Sequence, residues 1–426
     1  MSEFSDLPPV ALLGFSIPAY EAMHKLGRRF VAVVPPEFEP YMKEHGISYV
    51  LWDFNRLNER SVQLANELQE VGADLAVPLF EPTVEWAGAL NGQFRNDPRL
   101  FTRYLLFRDK AMMKRRAQMS GIRVGLFEEA EDRDAVARFI RRVATASIKI
   151  DGDTNDPVHL KPLDAAGCQG HRMLRHLEDI ERIADSEFPC LLETHLEGQE
   201  FSCEVFVHAR RVRFLNITEY VRLGHSNFVP GSAALQERRS QILKAVEDLI
   251  RAFDIEYGMI HPEFFITPDN VISFGEVAAR VPGGHIFELI EKAYGFDPFA
   301  GFVLCSDPRS TDKQLADFFP SEDAFEQYAG CLMVYPNQKV VTRVEVPEEV
   351  LGDPYYEKHN LFVPVSPKVA ERVAFGDHYG TVYFQGEDSE EMRGKLKRYN
   401  EMDFYVNDGP SGFEDDTLVP GISESV

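Results

Sequence analysis

Two glutamates thirteen residues apart have the spacing in this sequence that most clearly supports chemistry. Glu263 begins one apolar stretch and Glu276 ends a second, with turn residues at 268–270 between them. A β-hairpin that turns there brings both carboxylates to the same end of the ribbon. Two such carboxylates repel each other unless a cation lies between them, and their hard oxygens suit Mg²⁺ that bridges phosphates. The alternative is a surface hairpin whose glutamates point into water.

An arginine and two glycines follow the second glutamate. Arg280 lies four residues beyond Glu276, and Gly283 and Gly284 come shortly after it. A guanidinium is a permanent cation, and glycine lets backbone amides approach a ligand closely. Together they suit a reaction in which negative charge develops on oxygen. We therefore identify Arg280, Gly283 and Gly284 as candidate catalytic residues.

Two lysines stand where a phosphate would stabilise them. Asp109 is in a helix-capping position, so Lys110 falls in the first turn, where the helix dipole disfavours a cation unless an anion binds nearby. Lys161 ends a β-run and precedes a small-residue loop that contains Gly167 and Gly170. Flexible amides beside a lysine make a phosphate cradle, although the spacing is not that of a P-loop.

A strand, a turn and a second strand are predicted over residues 189–207. Glu193 ends the first strand and Glu200 begins the second. One interpretation is an exposed hairpin; the other is a hinge whose backbone meets a planar base while Glu200 binds a sugar diol. Glu81, after a predicted strand at 74–79, lies where open sheets bind ligands, although a solvated capping residue explains it equally well.

The elements that must position these residues begin with short apolar strands that alternate with helices through the first hundred residues. This pattern indicates an open, parallel α/β sheet, and the absence of a GxGxxG motif gives no support to a dinucleotide site. Further on, we predict a helix from about residue 174 and a polar-aromatic loop at 219–231. We expect five units: 1–100 (open α/β), 101–207 and 208–330 (two α+β units), 331–406 (strand-rich) and an acidic, disordered tail at 407–426.

Composition narrows the class of protein. The chain has 426 residues and a formal net charge of −24, which argues against nucleic acid or an anionic membrane surface as a partner. The five cysteines are odd in number and form no CxxC pair, so we expect a reduced, cytoplasmic protein without disulfides or a zinc site. No apolar run approaches the length of a spanning helix.

Taken in order, four of these motifs resemble the ATP-grasp superfamily. They are the Asp-Lys helix start at 109–110, the Lys-Pro strand end with its Gly-rich loop at 161–170, the Glu-x-x-Leu-x-Gly-x-Glu segment at 193–200, and the acidic pair. The resemblance implies an α/β fold in which ATP lies between two α+β subdomains behind an N-terminal open sheet. It also implies roles for the following residues: Lys110, Lys161, Gly167 and Gly170 at the phosphates, Glu193, Thr194, His195 and Leu196 at adenine, Glu200 at the ribose, and Glu263 and Glu276 as ligands of Mg²⁺ or Mn²⁺.

One position departs from the superfamily pattern. Many members have Asn two residues after the second metal glutamate, whereas this chain has Ala278, which leaves open whether one or two ions bind. The Ala-x-Arg-x-x-Gly-Gly arrangement that follows resembles bacterial L-amino-acid ligases and carnosine-synthase-like enzymes. The resemblance thus implies an ADP-forming carboxylate–amine ligase that acts on small molecules, with a homodimer left open. The alternatives are a carboxylase or purine-type ligase that uses bicarbonate or formate, and a nucleotide-binding protein without turnover.

Overall fold

The N-terminal part of the chain folds into a parallel sheet of four strands. The computed structural model describes residues 6–146, 157–165, 167–362 and 368–407. Alternate strand residues pack against helices on opposite faces, which explains why these strands are apolar throughout. The sheet has the order β3-β2-β1-β4, with β1 (Val10–Leu13), β2 (Phe30–Val34), β3 (Tyr49–Leu51) and β4 (Leu75–Pro78). The helices that accompany and follow it are α1 (Ile17–Leu26), α2 (Glu39–Glu44), α3 (Ser61–Glu70), α4 (Val84–Phe94), α5 (Arg99–Leu105) and α6 (Lys110–Met119).

A small antiparallel sheet of four strands comes next. Its order is β5-β8-β6-β7, and helix α7 (Arg133–Ala146) packs against it through Val136 and Phe139. The strands are β5 (Phe127–Ala130), β6 (Val158–Pro162), β7 (Arg172–Leu174) and β8 (Cys190–Thr194). Strand β6 therefore carries Lys161 and β8 carries Glu193 on neighbouring, hydrogen-bonded strands.

The largest element is an antiparallel sheet of eight strands in the order β13-β12-β9-β10-β11-β14-β17-β16. Its strands are β9 (Gln199–His208), β10 (Arg211–Arg222), β11 (Ser226–Val229), β12 (Tyr257–Ile266), β13 (Ile272–Ala278), β14 (Tyr328–Met333), β16 (Tyr356–Leu361) and β17 (Gly380–Gly386). A separate two-stranded pair joins β15 (Arg343–Val344) to β18 (Tyr405–Val406). The remaining helices are α8 (Ala233–Gln236), α9 (Arg239–Ala252), α10 (Ile286–Tyr294), α11 (Pro298–Ser306), α12 (Asp312–Phe318), α13 (Glu348–Leu351) and α14 (Ser389–Tyr399).

Two hydrophobic clusters hold the large sheet in place. One joins Phe206 and Phe214 of the sheet to helices α10 and α11 and reaches the N-terminal sheet through Val10 and Val77. The other packs helices α6 and α9 beneath strands β9, β12 and β13, with Phe201 and Phe264 at its centre. The N-terminal sheet and the hairpin that carries Glu263 and Glu276 are therefore packed against one shared body.

Two sequence predictions were wrong. The expected loop at 219–231 is largely the end of β10 and strand β11, joined by a tight turn at 223–225, because β11 is buried throughout and pairs with both β10 and β14. The expected helix from residue 174 is strand β7 followed by a short 3₁₀ helix at Leu177–Arg182. Strands β14, β16 and β17 extend the same large sheet, and the division into five units remains a prediction. The acidic tail lies outside the described residues except for Asn407.

Within the described ranges, no helix combines the length and the apolar character needed to cross a bilayer.

Candidate active site

The two candidate metal ligands lie on the β12–β13 hairpin, as predicted from their spacing. Pro262 pairs with Val277 and Phe264 with Phe274, and the register shifts between these pairs, so Glu263 lies opposite residues 275–276. The turn closes through the amide of Asn270, which donates to the carbonyl of Thr267 at 2.8 Å. One detail of the prediction was wrong: Glu263 lies well inside β12, which begins at Tyr257.

A polar face of the large sheet supports Glu263. His261 lies on the same face of β12 and contacts Glu263 Oε1 at 3.5 Å through Nε2 and Glu204 Oε1 at 2.9 Å through Nδ1. Burial lowers the pKa of His261, but the hydrogen bonds to both glutamates outweigh it and raise that pKa to about 9. The Tyr220 hydroxyl also donates to Glu263 Oε1 at 3.4 Å. Glu263 is therefore oriented from two sides.

Fully buried Glu204 anchors this arrangement. Its carboxylate accepts hydrogen bonds from Ser202 Oγ (3.1 Å), Asn216 Nδ2 (2.6 Å) and Thr218 Oγ1 (2.7 Å), in addition to the contact with His261. A buried carboxylate with that many partners is fixed in orientation as well as stabilised. Glu204 can therefore fix the orientation of the His261 imidazole, which it contacts.

Lysine and glutamate side chains around Glu276 form two neighbouring groups of ion pairs. Lys110 Nζ lies 2.5 Å from Glu276 Oε2. Glu193 bridges two further lysines, with Lys114 Nζ 2.5 Å from Oε1 and Lys161 Nζ 3.0 Å from Oε2. We call these five residues the lysine–glutamate network. It brings together four predicted site residues, and it adds Lys114.

The electrostatics of the network keep its carboxylates ionised. Burial raises the pKa of Glu276, but Lys110 and Lys161 outweigh it and hold that pKa at about 2. Burial acts on Glu193 in the same direction, and Lys114 and Lys161 likewise hold its pKa far below the usual range. Both carboxylates thus carry full charge at neutral pH.

At Glu200, the negative charge is less well balanced. Burial and the neighbouring Glu263 raise the pKa of Glu200 to about 8. A cation between Glu263 and Glu276 would relieve this repulsion, so the donor set fits a hard divalent ion. In the described ranges, no three His, Cys, Asp or Glu side chains are close enough together to hold a metal ion by themselves. Ala278, which pairs with His261 in the hairpin, offers no side-chain oxygen, so phosphate and water oxygens would complete the coordination of Mg²⁺.

The Gly-rich loop folds back on the strand that precedes it. Gly167 and Gly170 have φ values of +60° and +68°, and a Cβ at Gly170 would lie 2.8 Å from Pro162 Cγ. The start of helix α6 is tied to the same region, since the amide of Lys110 donates to the carbonyl of Leu163 at 3.0 Å. The Asp109 side chain caps α6 as predicted, by accepting from the Met112 amide at 2.8 Å.

At the predicted hinge, residues 193–196, the backbone amides of Thr194 and His195 already have hydrogen-bond partners. Thr194 N donates to Leu126 O at 2.9 Å, and His195 N donates to Pro157 O at 3.2 Å. The amide of Leu196 has no hydrogen-bond partner in the part of the chain that the structure describes. If a base binds at this hinge, Leu196 supplies the open amide donor.

Three imidazoles line up beside this hinge. His159 Nδ1 lies 2.7 Å from His171 Nε2, and His159 Nε2 lies 3.0 Å from His195 Nδ1. The rings are stacked, with centroids 4.9 and 5.2 Å apart. Burial and the neighbouring ring of His171 lower the pKa of His159 to about 3, and burial and Lys161 lower that of His171 to about 4. The rings of His159 and His171 are therefore uncharged at neutral pH. We call His159, His171 and His195 the histidine row.

Arg280 is not in direct contact with the lysine–glutamate network among the described residues. Its Nε donates to Glu81 Oε2 at 2.7 Å, and Arg108 NH1 donates to the other oxygen of Glu81 at 2.6 Å. The N-terminal unit thus supplies the counter-charge that orients Arg280. Nearby, Gly284 has φ +62°, and its carbonyl accepts from Asn227 Nδ2 at 3.1 Å, while Gly283 has open space where a side chain would be.

Sequence reasoning missed several residues of this site. Lys114 lies four residues after Lys110, a spacing that puts both on one helix face and was visible in the sequence. Ser202 and Glu204 follow the predicted Glu200 at every second position along β9, a spacing that marks a polar strand face. The pairing of Arg372 NH1 with His225 Nε2 at 2.8 Å had no such signal, because 147 residues separate the two.

Comparison with solved structures identifies the fold. The structure matches an L-amino acid ligase from Bacillus licheniformis with a TM-score of 0.72, at 15% identity over 95% of this chain and 99% of that one. It also matches N5-carboxyaminoimidazole ribonucleotide synthetase from Thermotoga maritima (TM-score 0.67, 16% identity, 94% and 100% of the chains). The fold is that of the ATP-grasp superfamily. A third match is the biotin carboxylase domain of a Hydrogenobacter thermophilus 2-oxoglutarate carboxylase in complex with MgADP and bicarbonate (TM-score 0.64, 16% identity, 94% and 91%).

Sequence comparison adds one relative. An L-arginine-specific L-amino acid ligase from Bacillus subtilis is 25% identical over 247 residues, which are 54% of this chain and 56% of that protein. The alignment thus spans little more than half the length of the curated relative. No protein-family model matches the chain.

Proposed function

We propose that this protein is an ATP-dependent, ADP-forming carboxylate–amine ligase. The observation that carries the proposal is the hairpin that bears Glu263 and Glu276 together with Lys110, which contacts Glu276, and Lys161, which contacts Glu193. Phosphoryl transfer is catalysed mainly by positioning and by charge neutralisation, which such a set of charges supplies. The ATP-grasp fold and the ligases among the similar proteins support the same function.

In this proposal the nucleotide phosphates replace the internal partners of the lysines. Lys110 and Lys161 bind phosphate oxygens, the amides near Gly167 and Gly170 approach them, and Glu200 binds the ribose. Glu263 and Glu276 hold Mg²⁺, and when bound the ion neutralises charge on the transferred phosphoryl group. Lys114 stays with Glu193, so one ion pair remains to hold helix α6 against strand β8.

The reaction then has two bond-forming steps. An oxygen of the acid substrate attacks the γ-phosphorus of ATP, an acyl phosphate forms and ADP leaves. The amine nitrogen next attacks the acyl carbon, loses a proton, and phosphate leaves with one oxygen of the original carboxylate. Arg280, with open backbone near Gly283, stabilises the oxyanion of the tetrahedral intermediate, which forms when the amine attacks and collapses when phosphate leaves.

Amino acids are the substrate class that we favour. Both ligases named above act on L-amino acids by their names, and the Ala-x-Arg-x-x-Gly-Gly arrangement after Glu276 resembles that of such ligases. The second candidate is a carboxylase or purine-type ligase, because proteins with those names have the same fold. We place the protein in the reduced cytosol, since all five cysteines are unpaired.

An ADP-release assay over a substrate panel tests the proposal. The panel contains single L-amino acids, pairs of them, bicarbonate and formate, each with ATP and Mg²⁺, and Glu276→Gln is the inactive control. We expect release of ADP with particular amino-acid pairs and an amide product by mass spectrometry. An ¹⁸O label in the acid carboxylate should appear in the released phosphate.

The other outcomes separate the alternatives. ADP release with bicarbonate and no need for an amino acid would establish the carboxylase reading. Tight ATP binding by calorimetry without turnover on any member of the panel would favour nucleotide binding alone. An amide product with no label in the released phosphate would contradict an acyl-phosphate route.

A further inference from the structure

A segment near the C-terminal end of the chain reaches across the candidate active site. Residues 369–379 leave the two-stranded region, and the amide of Phe375 donates to the carbonyl of Gly167 in the Gly-rich loop at 3.0 Å. The Phe375 ring also covers Gly224, where a Cβ would lie 2.3 Å from it. Only glycine fits at that position. We call residues 369–379 the strap.

The strap carries Arg372, whose guanidinium contacts backbone carbonyls. Its NH2 donates to the carbonyls of Gly224 (2.6 Å) and Phe375 (3.0 Å), and its Nε donates to Ala374 O at 3.3 Å. No carboxylate pairs with it in the described ranges. Lys110, Lys161 and Arg280, by contrast, each contact a glutamate. Among the described residues, the one side-chain acceptor of Arg372 is the imidazole of His225.

That contact settles which nitrogen of His225 carries a proton. Arg372 NH1 lies 2.8 Å from His225 Nε2. A guanidinium can only donate, so Nε2 must be the unprotonated acceptor and Nδ1 must carry the hydrogen. Burial and the positive charges of Arg372 and Arg222 lower the pKa of His225 to about 4, in agreement with a neutral ring. Nδ1 itself has no hydrogen-bond partner in the described part of the chain.

His225 lies in the turn between β10 and β11. Two residues further on, Asn227 donates to the carbonyl of Gly284, and earlier on β10, Tyr220 reaches Glu263. The strap contacts the same turn through Gly224 and contacts the Gly-rich loop through Gly167. The strands that flank the turn therefore contact Gly284 and Glu263, and the strap joins the turn to the Gly-rich loop.

We propose that Arg372 is a positioning residue that fixes His225 as a neutral Nδ1–H donor, which serves the candidate site beside the Gly-rich loop that the strap contacts. The inference rests on the proposed function for its kinetic consequence. A neutral imidazole donates a hydrogen bond to a developing oxyanion without the cost of introducing a second buried charge. Because Arg372 comes from the strap, the donor is set only when the strap lies over the Gly-rich loop.

The tautomer can be measured without substrates. ¹⁵N-histidine-labelled protein, with the His225 signal assigned by its loss in His225→Asn, reports which ring nitrogen is protonated. We expect Nδ1–H at pH 7 in the wild type and in Arg372→Gln, whose amide can still donate, but not in Arg372→Met. An Nε2–H or doubly protonated His225 in the wild type overturns the inference, whether or not the protein proves to be a ligase.

Kinetics then test the role of the donor. Arg372→Met should lower kcat roughly 10²-fold, the effect of losing one preorganised donor, and Arg372→Gln should recover most of it. His225→Asn keeps an amide donor near the Nδ1 position, so Arg372→Met should cost little more in that background. Independent, multiplicative losses in the double variant contradict the proposal. Exposed Arg211→Met is the control, and the Gln variant and the NMR measurement still decide if the Met variant does not fold.

Discussion

Two polar clusters on the same small sheet avoid the cost of burial in opposite ways. Strand β6 carries His159 and Lys161 two residues apart, so both face the same side. Lys161 belongs to the lysine–glutamate network, where every charge lies against an opposite charge. His159 is the centre of the histidine row, where the rings share hydrogen bonds and burial keeps the pKa of His159 low.

The difference suits a ligand such as ATP, which has a charged triphosphate at one end and a flat, uncharged base at the other. A triphosphate needs cations that are already ionised and poised, and internal carboxylates hold those cations until the ligand arrives. A planar base needs flat, uncharged surroundings beside open backbone groups. We therefore expect substitutions in the network to impair turnover and binding, and substitutions in the histidine row to act mainly on stability.

The largest effect should come from breaking the metal-binding side of the network. Glu276→Gln removes the charge that we expect to hold Mg²⁺ and also the partner of Lys110, so ATP turnover should fall below detection while circular dichroism stays unchanged. Glu37→Gln, an exposed glutamate on the N-terminal unit, is the control. Turnover within threefold of wild type at saturating Mg²⁺ would refute the metal assignment.

Arg280 lies outside the network and should have the next largest effect. Arg280→Lys loses the planar fork that contacts Glu81, and we expect kcat to fall by about 10²-fold, as for loss of one oxyanion donor. Arg108→Lys, which alters the other partner of Glu81, should have a smaller effect on kcat. An unchanged kcat with a raised KM for the acid substrate would leave Arg280 only as a ground-state clamp.

A smaller effect is expected where the network can compensate. Lys161→Ala should weaken ATP binding by about 1.5–3 kcal/mol, the range for a hydrogen bond to a charged group, because Lys114 still neutralises Glu193. Calorimetry with the nucleotide measures it, and exposed Lys313→Ala is the matched control. Equal ATP affinity in mutant and wild type would remove Lys161 from the phosphate site.

The histidine row should give the smallest effect on function and a distinct effect on stability. The pKa values of His159 and His171 in the fold, about 3 and about 4, lie below the ordinary value of 6.5. Between these limits the unfolded chain binds more protons, so folding stability should fall as pH drops below 6.5. His159→Leu should reduce this slope by up to about 1.4 kcal/mol per pH unit.

Chemical denaturation between pH 7 and pH 4.5 measures that slope. His176→Leu, an exposed histidine just beyond β7, is the control and should retain the wild-type pH dependence. A slope in His159→Leu equal to that of the wild type would show that the buried row is not responsible for acid sensitivity.

Local patterns predicted the fold well where the signals act on neighbouring residues. The N-terminal strands, the capped helix α6 and the β12–β13 hairpin depend on periodicity, capping and turn chemistry, which a sequence displays directly. The loop at 219–231 was misread because its strand character is completed by β14, about a hundred residues later. Burial imposed from a distant segment has no local signature.

The same distinction holds for the candidate site. Residue type, spacing and the resemblance brought Lys110, Lys161, Glu193 and Glu276 into consideration, and the four form two ion pairs, Lys110–Glu276 and Lys161–Glu193. Their partners could not be predicted, because the ion pairs cross between helix α6, strand β8 and strand β13. Arg372 is the extreme case, since the strap reaches His225 only after further strands have been added to the sheet.

The continuity of the eight-stranded sheet limits how this chain can be divided. Strand β11 pairs with β14 along four residues, Ser226–Val229, and the ring of Phe228 lies in the cluster with Leu332 and Phe384. A truncated chain that ended before residue 328 would leave β11 as an open edge with apolar side chains beside it, a template for intermolecular pairing. Recombining this chain with a related one should therefore succeed at the surface turns of the N-terminal sheet and lead to aggregation when the crossover falls between β11 and β14.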